Sequence, residues 1–146
     1  MNHIRLIDVY PVSISTAVFL YDLLLERDPA INISHREIPS FDDHRRFVES
    51  QPYRAWYLVH ADEEPVGAIY LTNPPTPSHA GNEIGIFISK AHQGKGYAKR
   101  AICILMSMHP AKRFLANIST GNPRSMRLFW SLGFELVQHT LAKEME

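Results

Sequence analysis

The chain has 146 residues, of which 45% are hydrophobic and 21% charged, proportions typical of one globular domain that buries a core. Fifteen Lys and Arg side chains balance fifteen Asp and Glu, so the formal net charge is zero, which argues against nucleic acid or an anionic membrane as a partner. The single cysteine, Cys103, excludes an internal disulfide and favours the reducing cytoplasm, and no apolar run predicts a signal peptide or membrane span.

The first half of the chain predicts, in order, a strand, two helices and a two-stranded antiparallel hairpin. Pro11 ends the first strand, and the hydroxyl group of Ser40 can cap the second helix by accepting from the amide of Asp43. The predicted elements are Ile4–Val9, Ile14–Leu25, Phe41–Ser50, Trp56–Val59 and Val66–Leu71.

The second half predicts a central strand, a helix, a strand, a helix and a final strand. Gly85 is expected to mark a bulge in the central strand, and Cys103 is expected to be buried because its helix is apolar on most sides. Asn122 and Pro123 suit the start of the last helix. The predicted elements are Glu83–Ile88, Ala98–Met108, Arg113–Ile118, the helix from Pro123 to Gly133, and Phe134–Thr140. Without repeats or a linker, residues 1–146 are expected to form one α+β domain with one long sheet.

The segment Gln93-Gly94-Lys95-Gly96-Tyr97-Ala98 lies between a predicted apolar strand and a predicted apolar helix. Its two glycines permit a tight turn and leave consecutive backbone amides uncovered at the positive end of the helix, an arrangement that binds phosphate. A Walker loop would require a Gly-Lys-Ser/Thr ending, and a dinucleotide fingerprint would require a small residue at the position of Lys99. Neither fits, and a turn in which the glycines serve the backbone alone stays the alternative.

The same segment resembles the Gln/Arg-x-x-Gly-x-Gly/Ala acyl-CoA loop of the GNAT acyltransferase superfamily. About thirty residues downstream, a second segment is similar to that family's Asn-x-x-Ala/Ser-x-x-Leu-Tyr-x-x-x-Gly-Phe motif. It is carried by Asn122, Ser125, Leu128, Gly133 and Phe134. The resemblance implies a central mixed, mostly antiparallel sheet flanked by about four helices, with acetyl-CoA as co-substrate.

Carried over to this chain, the resemblance implies that the amides of Gly94, Lys95, Gly96, Tyr97 and Ala98 cradle the CoA pyrophosphate. Gln93 would then shape the loop. The strand residues Ile86, Phe87 and Ile88 would pair with the pantetheine arm beside a splayed gap. Asn122 would orient the pantetheine or the acyl end, although a plain helix cap explains this residue as well.

In the family an amine attacks the thioester directly, and a carboxylate from the strand before the loop often removes a proton. Glu83 is the candidate base here, with an exposed strand-end carboxylate as the alternative. Phe129 stands where many members carry the tyrosine that protonates the thiolate, and it is expected to line the acyl pocket. The acid is then Ser125, Tyr97, water or no group at all.

The amine acceptor is expected between the first two helices and the hairpin, with His35, Tyr57 and Tyr70 as candidate contacts. Solvation of a polar loop is the alternative for His35, and packing in the core is the alternative for the two tyrosines. The histidine spacings predict no metal site. The leading hypothesis is transfer of an acetyl group to a primary amine on a small molecule or peptide, in a protein that forms a homodimer as many relatives do. The alternative, prompted by Phe129, is a CoA-binding sensor or assembly module with little catalysis.

Overall fold

The computed structural model describes residues 2–27, 37–73 and 82–145. Within these ranges it contains five strands, four α-helices and a short 3-10 helix, Lys90–His92. The strands are β1 Ile4–Asp8, β2 Ala55–Ala61, β3 Glu64–Leu71, β4 Asn82–Ile88 and β5 Phe114–Leu115. The helices are α1 Ile14–Leu25, α2 Phe41–Glu49, α3 Tyr97–Met108 and α4 Pro123–Ser131.

The strands form one open sheet in the order β1-β2-β3-β4-β5. The first three pairings are antiparallel and only β4 and β5 run parallel, so the predicted mixed, mostly antiparallel sheet is confirmed. The expected bulge at Gly85 is wrong: Gly85 pairs in regular register with Tyr70. The register shifts instead between Val59 and His60.

Strand alternation divides the apolar residues into two cores, one on each face of the sheet. On one face, Val59 and Ile69 pack with α3 through residues such as Ile102 and Leu105. On the other face, Leu58 and Trp56 pack with residues of α1 and α2, including Leu20, Leu23 and Val48. The helices α3 and α4 therefore cover one face of the sheet, and α1 and α2 cover the other. The strand β4 contributes side chains to both cores.

Two helix starts follow the predicted capping chemistry. The Ser40 side chain accepts a hydrogen bond from the amide of Asp43 at 3.1 Å and begins α2. The Asn122 Oδ1 accepts from the amide of Ser125 at 3.2 Å and begins α4, with Pro123 in the first turn. Each cap satisfies an amide that has no partner inside its helix.

The predicted strand Phe134–Thr140 is wrong, and the predicted strand Arg113–Ile118 is reduced to Phe114–Leu115. Phe134 packs on the core, but Leu136 and Val137 are 57% and 63% exposed. A strand needs a neighbour to pair with, and β5 pairs with β4 through only two residues. The composition of Phe134–Thr140 favours a strand, but no strand pairs with this segment in the part of the chain that the structure describes.

The expectation that α3 is packed on most sides, with Cys103 buried, is also wrong. The buried residues Tyr97, Ala101, Ile102 and Leu105 lie at the spacing of one helical face. Cys103 falls on the opposite face and is exposed. The longest helices in the described ranges, α1 and α3, have 12 residues each, so none is long enough to cross a membrane.

Candidate active site

The strands β4 and β5 separate soon after they begin to pair. Asn82 pairs with Phe114 and Glu83 with Leu115, and there the pairing ends. Beyond this point, residues 84–88 of β4 and residues 116–119 after β5 line opposite sides of a cavity of about 640 Å³. We call this cavity the β4 gap. It corresponds to the splayed gap that the resemblance implied, and its volume is within the range of small-molecule sites.

The loop at the mouth of the β4 gap has the backbone shape expected for anion binding. Gly94 and Gly96 adopt left-handed φ angles of 79° and 80°, and Gly96 precedes α3 without a side-chain cap. None of the amides from Gly94 to Ala98 donates to an acceptor in the described ranges. A Cβ added at Gly96 would meet nothing within 4 Å, and residues of this loop line the β4 gap, so the loop borders a space that a ligand can fill.

Gln93 connects three elements around this loop. Its side-chain Nε2 donates to the carbonyl oxygen of Ile88 at 2.8 Å, and its Oε1 accepts from Arg124 at 2.8 Å. The end of β4, the loop and the start of α4 are therefore held together by one side chain. Sequence reasoning placed Gln93 at the loop but missed Arg124, which lies one residue inside the predicted helix start.

The other predicted contacts to the coenzyme line the same cavity. Asn122, Ser125 and Phe129 come from α4, and Ile86, Phe87 and Ile88 come from β4. The cap made by Asn122 occupies its Oδ1, so the structural role foreseen for this residue is observed. Phe129 is buried and meets Phe134 edge to face, with ring centroids 5.0 Å apart.

Two of the candidate acids occupy different surroundings. Tyr97 is buried, and its hydroxyl oxygen accepts a hydrogen bond from the Asn2 side chain. Ser125 lines the β4 gap and is half-buried. Tyr97 lines the same cavity, and its hydroxyl group keeps its own proton because it accepts rather than donates in the contact with Asn2.

A second cavity of about 560 Å³ lies on the face of the sheet covered by α1 and α2. We call it the helix-side cavity. Most of its wall is apolar or aromatic and includes Leu23, Phe47 and Trp56. The residues that line both cavities are Arg27, Tyr70, Glu83 and Phe87. These four residues lie between the two cavities, and we call them the junction.

Glu83 is held in this junction by the edge of β3. Its amide donates to Thr72 Oγ1 at 3.3 Å, and its carbonyl oxygen accepts from the Thr72 amide at 3.0 Å. The side chain is half-buried and lies on the same face of β4 as Phe87, since two residues of a strand separated by an even number point to the same side. The backbone of Glu83 is thus fixed by Thr72, and its side chain lines both cavities.

Tyr70 lies over Gly85 and stacks on Tyr53, with ring centroids 3.9 Å apart and planes 5° from parallel. Burial raises the pKa of Tyr70 most strongly, while the Arg27 guanidinium lowers it and the Glu83 carboxylate raises it. Burial likewise raises the pKa of Tyr53, with further contributions from Tyr70. Both hydroxyl groups therefore stay protonated at neutral pH, within reach of two opposite charges.

Arg27 is a site residue that sequence reasoning missed. It follows the last turn of α1, and its guanidinium lies 5.5 Å from the centroid of the Phe87 ring. The neighbouring Glu26 accepts a hydrogen bond from the Lys90 amide at 2.7 Å and ties the end of α1 to the segment after β4. Only the folded chain brings this end of α1 to the junction, so no local pattern could have indicated it.

Of the other two predicted acceptor contacts, Tyr57 lies away from the junction and His35 is outside the described residues. Tyr57 lines neither cavity; its hydroxyl group is 2.7 Å from Nε2 of His109, on the other face of the sheet from Trp56. Within the described residues, no group of three or more His, Cys, Asp or Glu side chains is arranged to hold a metal ion.

Comparison with solved structures supports the fold. A domain from Methanocaldococcus jannaschii superposes with a TM-score of 0.79 at 20% identity, covering 96% of this chain and 93% of that one. A spermidine N-acetyltransferase from Vibrio cholerae, in complex with CoA and spermine, gives 0.77 at 18% identity over 97% and 86%. RimL, a ribosomal L7/L12 alpha-N-protein acetyltransferase in complex with CoA, gives 0.71 at 18% identity over 88% and 77%.

A search of curated protein sequences found no match. A scan of protein families, in contrast, matched residues 22–135 to the family described as Acetyltransferase (GNAT) domain. This match contains both cavities' junction residues, the glycine loop and α4. The chain therefore belongs to the GNAT family of acetyltransferases and is an acyl-CoA-dependent N-acyltransferase.

Proposed function

We propose that this protein transfers an acetyl group from acetyl-CoA to a primary amine by direct attack within a ternary complex. The observation that carries the proposal is the junction: Glu83 and Tyr70 line both the β4 gap and the helix-side cavity. A thioester in the first cavity and an amine in the second would meet at these residues. Holding both reactants in one geometry removes much of the entropic cost of a bimolecular reaction.

The β4 gap suits an extended acyl-CoA. The free amides from Gly94 to Ala98 would bind the pyrophosphate, and charge-assisted hydrogen bonds of this kind contribute about 1.5–3 kcal/mol each. The unpaired edge of β4, over Ile86–Ile88, would bind the pantetheine amides as a neighbouring strand would. The same edge offers a backbone amide to the oxygen of the thioester carbonyl as negative charge develops there.

Glu83 would act as the general base. A primary amine arrives largely protonated, and it attacks only after losing a proton to the carboxylate, directly or through a water molecule. The amine nitrogen then bonds to the carbonyl carbon, the carbon–sulfur bond breaks, and CoA leaves as a thiolate. The nitrogen becomes cationic as it bonds, and it loses its second proton to reach the amide product. With phenylalanine at position 129, Ser125, Tyr97 or water would relay that proton to the thiolate sulfur, or water would take the proton and the thiolate would leave unprotonated.

A CoA-binding module with little catalysis is the second candidate function. It is favoured by Phe129, which is buried against Phe134 and offers no proton to a leaving group. The two candidates share the loop and the β4 gap, and they differ only in whether an amine accelerates release of CoA.

The exposed cysteine, Cys103, supports a cytoplasmic location for the protein, because free thiols persist in a reducing compartment.

Binding and turnover distinguish these functions. We would titrate acetyl-CoA into the protein by calorimetry and follow thiol release with a panel of polyamines, amino sugars, amino acids and peptides. The assay should use the Cys103→Ser variant, because the exposed thiol would otherwise react with the detecting reagent. Amine-dependent release, together with an acetylated product by mass spectrometry, is expected. Tight binding with no amine-dependent release over the whole panel would favour the binding module.

A further inference from the structure

Two opposite charges lie at the junction of the two cavities. Arg27 comes from the end of α1 and Glu83 from β4, and both line the β4 gap as well as the helix-side cavity. Both also act on the same hydroxyl group, since the Arg27 guanidinium lowers and the Glu83 carboxylate raises the pKa of Tyr70. A bound molecule at the junction therefore meets a cation and an anion together.

Neither charge is neutralised by a close partner in the described ranges. The ion pairs found there involve other residues, and neither the Arg27 nor the Glu83 side chain is within 4.0 Å of an opposite charge. Arg27 lies instead over the face of Phe87, and both side chains are half-buried. Arg27 also contacts the Tyr70 hydroxyl group, but half-buried charges with no opposite charge close by still cost free energy, which a ligand of matching charge pattern would recover.

Beyond the junction, the helix-side cavity is suited to an apolar group. Its inner wall includes Leu20, Leu23, Trp56 and Ala68, all buried. The carboxylates Glu37 and Asp43, which also line it, are both exposed, and Asp43 is paired with Arg46 at 3.3 Å. The acidic side chains thus lie at the outer rim, and the interior offers contacts to a hydrocarbon or aromatic ring.

We propose that the acceptor is a free α-amino acid with an apolar side chain, an inference that rests on the proposed acetyltransferase function. The α-amine would approach Glu83 at the opening to the β4 gap, and the α-carboxylate would pair with the guanidinium of Arg27. The side chain would enter the helix-side cavity beside Trp56. Arginine binds carboxylates through two parallel hydrogen bonds, so it fixes the amine's orientation as well as its affinity.

The same arrangement disfavours two other classes of amine. A polyamine would place a second cation near Arg27, where like charges repel. A peptide N-terminus would present an amide in place of the α-carboxylate, and Arg27 would keep no anionic partner. Acceptors that differ only in the carboxylate therefore report on Arg27 directly.

The test compares L-phenylalanine with phenethylamine, which has the same amine and ring but no carboxylate, and with phenylalanine amide and spermidine. We expect kcat/KM for L-phenylalanine to exceed that for phenethylamine by at least about tenfold, the effect of one charge-assisted pair. In Arg27→Gln this ratio should fall to within about twofold of one, and Arg27→Lys should restore part of it. Arg45→Gln is the matched control, because Arg45 pairs with Glu49 on the exposed side of α2 and lines neither cavity.

Three results would overturn the inference while leaving the proposed function intact. One is efficient acetylation of amines without any preference for the carboxylate. Another is a preference for spermidine over every amino acid tested. The third is a tenfold weaker binding of acetyl-CoA by Arg27→Gln, measured by calorimetry, which would assign the guanidinium to the coenzyme. Failure of the proposed function itself would look different, since no amine on any panel would then release CoA.

Discussion

The ring of Tyr70 on β3 lies across the backbone of Gly85 on β4, so closely that a Cβ atom at residue 85 would overlap it. This contact explains the glycine in the middle of a central strand, where glycine is otherwise unfavourable. It also fixes the ring that stacks on Tyr53 and separates the two cavities. The Tyr70 ring, one of the junction side chains, can thus take this position because residue 85 has no side chain.

Gly85→Ala is expected to destabilise the protein through this contact. The added methyl must displace the Tyr70 ring, and such overpacking costs about 1–3 kcal/mol. Denaturant unfolding measures the change. In a Tyr70→Ala background, where no ring covers the glycine, the same substitution should cost less than ~0.5 kcal/mol. Equal costs in the two backgrounds would show that the ring does not determine the residue at position 85.

Gly96→Asp is expected to abolish acetyl-CoA binding while the protein stays folded. The new side chain would enter the open space before α3 and place a carboxylate where we propose that the pyrophosphate binds, raising the dissociation constant by at least about 100-fold. Calorimetry checks this. Gly133→Asp is the matched control, because Gly133 also has a left-handed φ angle, 89°, and open space around it, but lines neither cavity.

Both substitutions carry the same backbone penalty of ~1 kcal/mol. We therefore expect the two variants to lose similar amounts of stability. Only Gly96→Asp should also lose acetyl-CoA binding. If the two variants bound acetyl-CoA equally well, the loop would have no part in holding the coenzyme.

Glu83→Gln is expected to lower kcat by about 10²–10⁴-fold, the usual contribution of a general base. The dissociation constant of acetyl-CoA should change little, because glutamine keeps the shape and the backbone contacts to Thr72. Glu63→Gln serves as the control, since Glu63 is almost fully exposed and, among the residues that the structure describes, its ion pair is with Arg5. If kcat and the pH profile were unchanged in Glu83→Gln, the Glu83 carboxylate would have only a structural role.

The free energy of unfolding is expected to fall as the pH drops below about 6.5. Burial, followed by the nearby Arg27 charge, lowers the pKa of His44 beneath its ordinary value of 6.5, and burial also lowers the pKa of His60 and His109. The unfolded chain therefore binds protons at these positions first, so acid favours unfolding, and the stabilisation is fully present only above that pH.

His44→Phe tests this pH dependence. Phenylalanine keeps aromatic contacts with Tyr21 and Phe47 but cannot titrate, so the loss of stability between pH 7.5 and pH 5.5 should be smaller than in the unmodified protein. The same substitution at His139, which is exposed, should leave the pH dependence unchanged. A slope that His44→Phe did not reduce would place the proton-linked stability elsewhere.

Local sequence patterns were sufficient for the parts of the fold that local chemistry determines. Ser40 and Asn122 cap the helices they were expected to cap, and the glycines of the loop have the left-handed backbone that the turn requires. The strand expected over Phe134–Thr140 did not form, because pairing depends on a distant edge and not on composition. Cys103 was misplaced for a related reason: a run of apolar residues does not say which of them faces the sheet.

The candidate site could likewise be predicted from the sequence only in part. The loop, β4 and α4 are identified by motifs that are contiguous in sequence, and all of them line the β4 gap. The junction with the helix-side cavity depends on Arg27, which follows α1, and on Tyr70, which stacks on Tyr53, and these parts of the chain come together only on folding. Tyr57 was included with the hairpin aromatics, yet strand alternation places it on the opposite face of the sheet from Trp56.

The most direct test of the account is a crystal structure of the protein with CoA bound. We expect the pyrophosphate oxygens within hydrogen-bonding distance of the amides between Gly94 and Ala98, and the pantetheine arm along the free edge of β4. A coenzyme seated away from this loop, with the same amides turned toward other parts of the chain, would contradict the account.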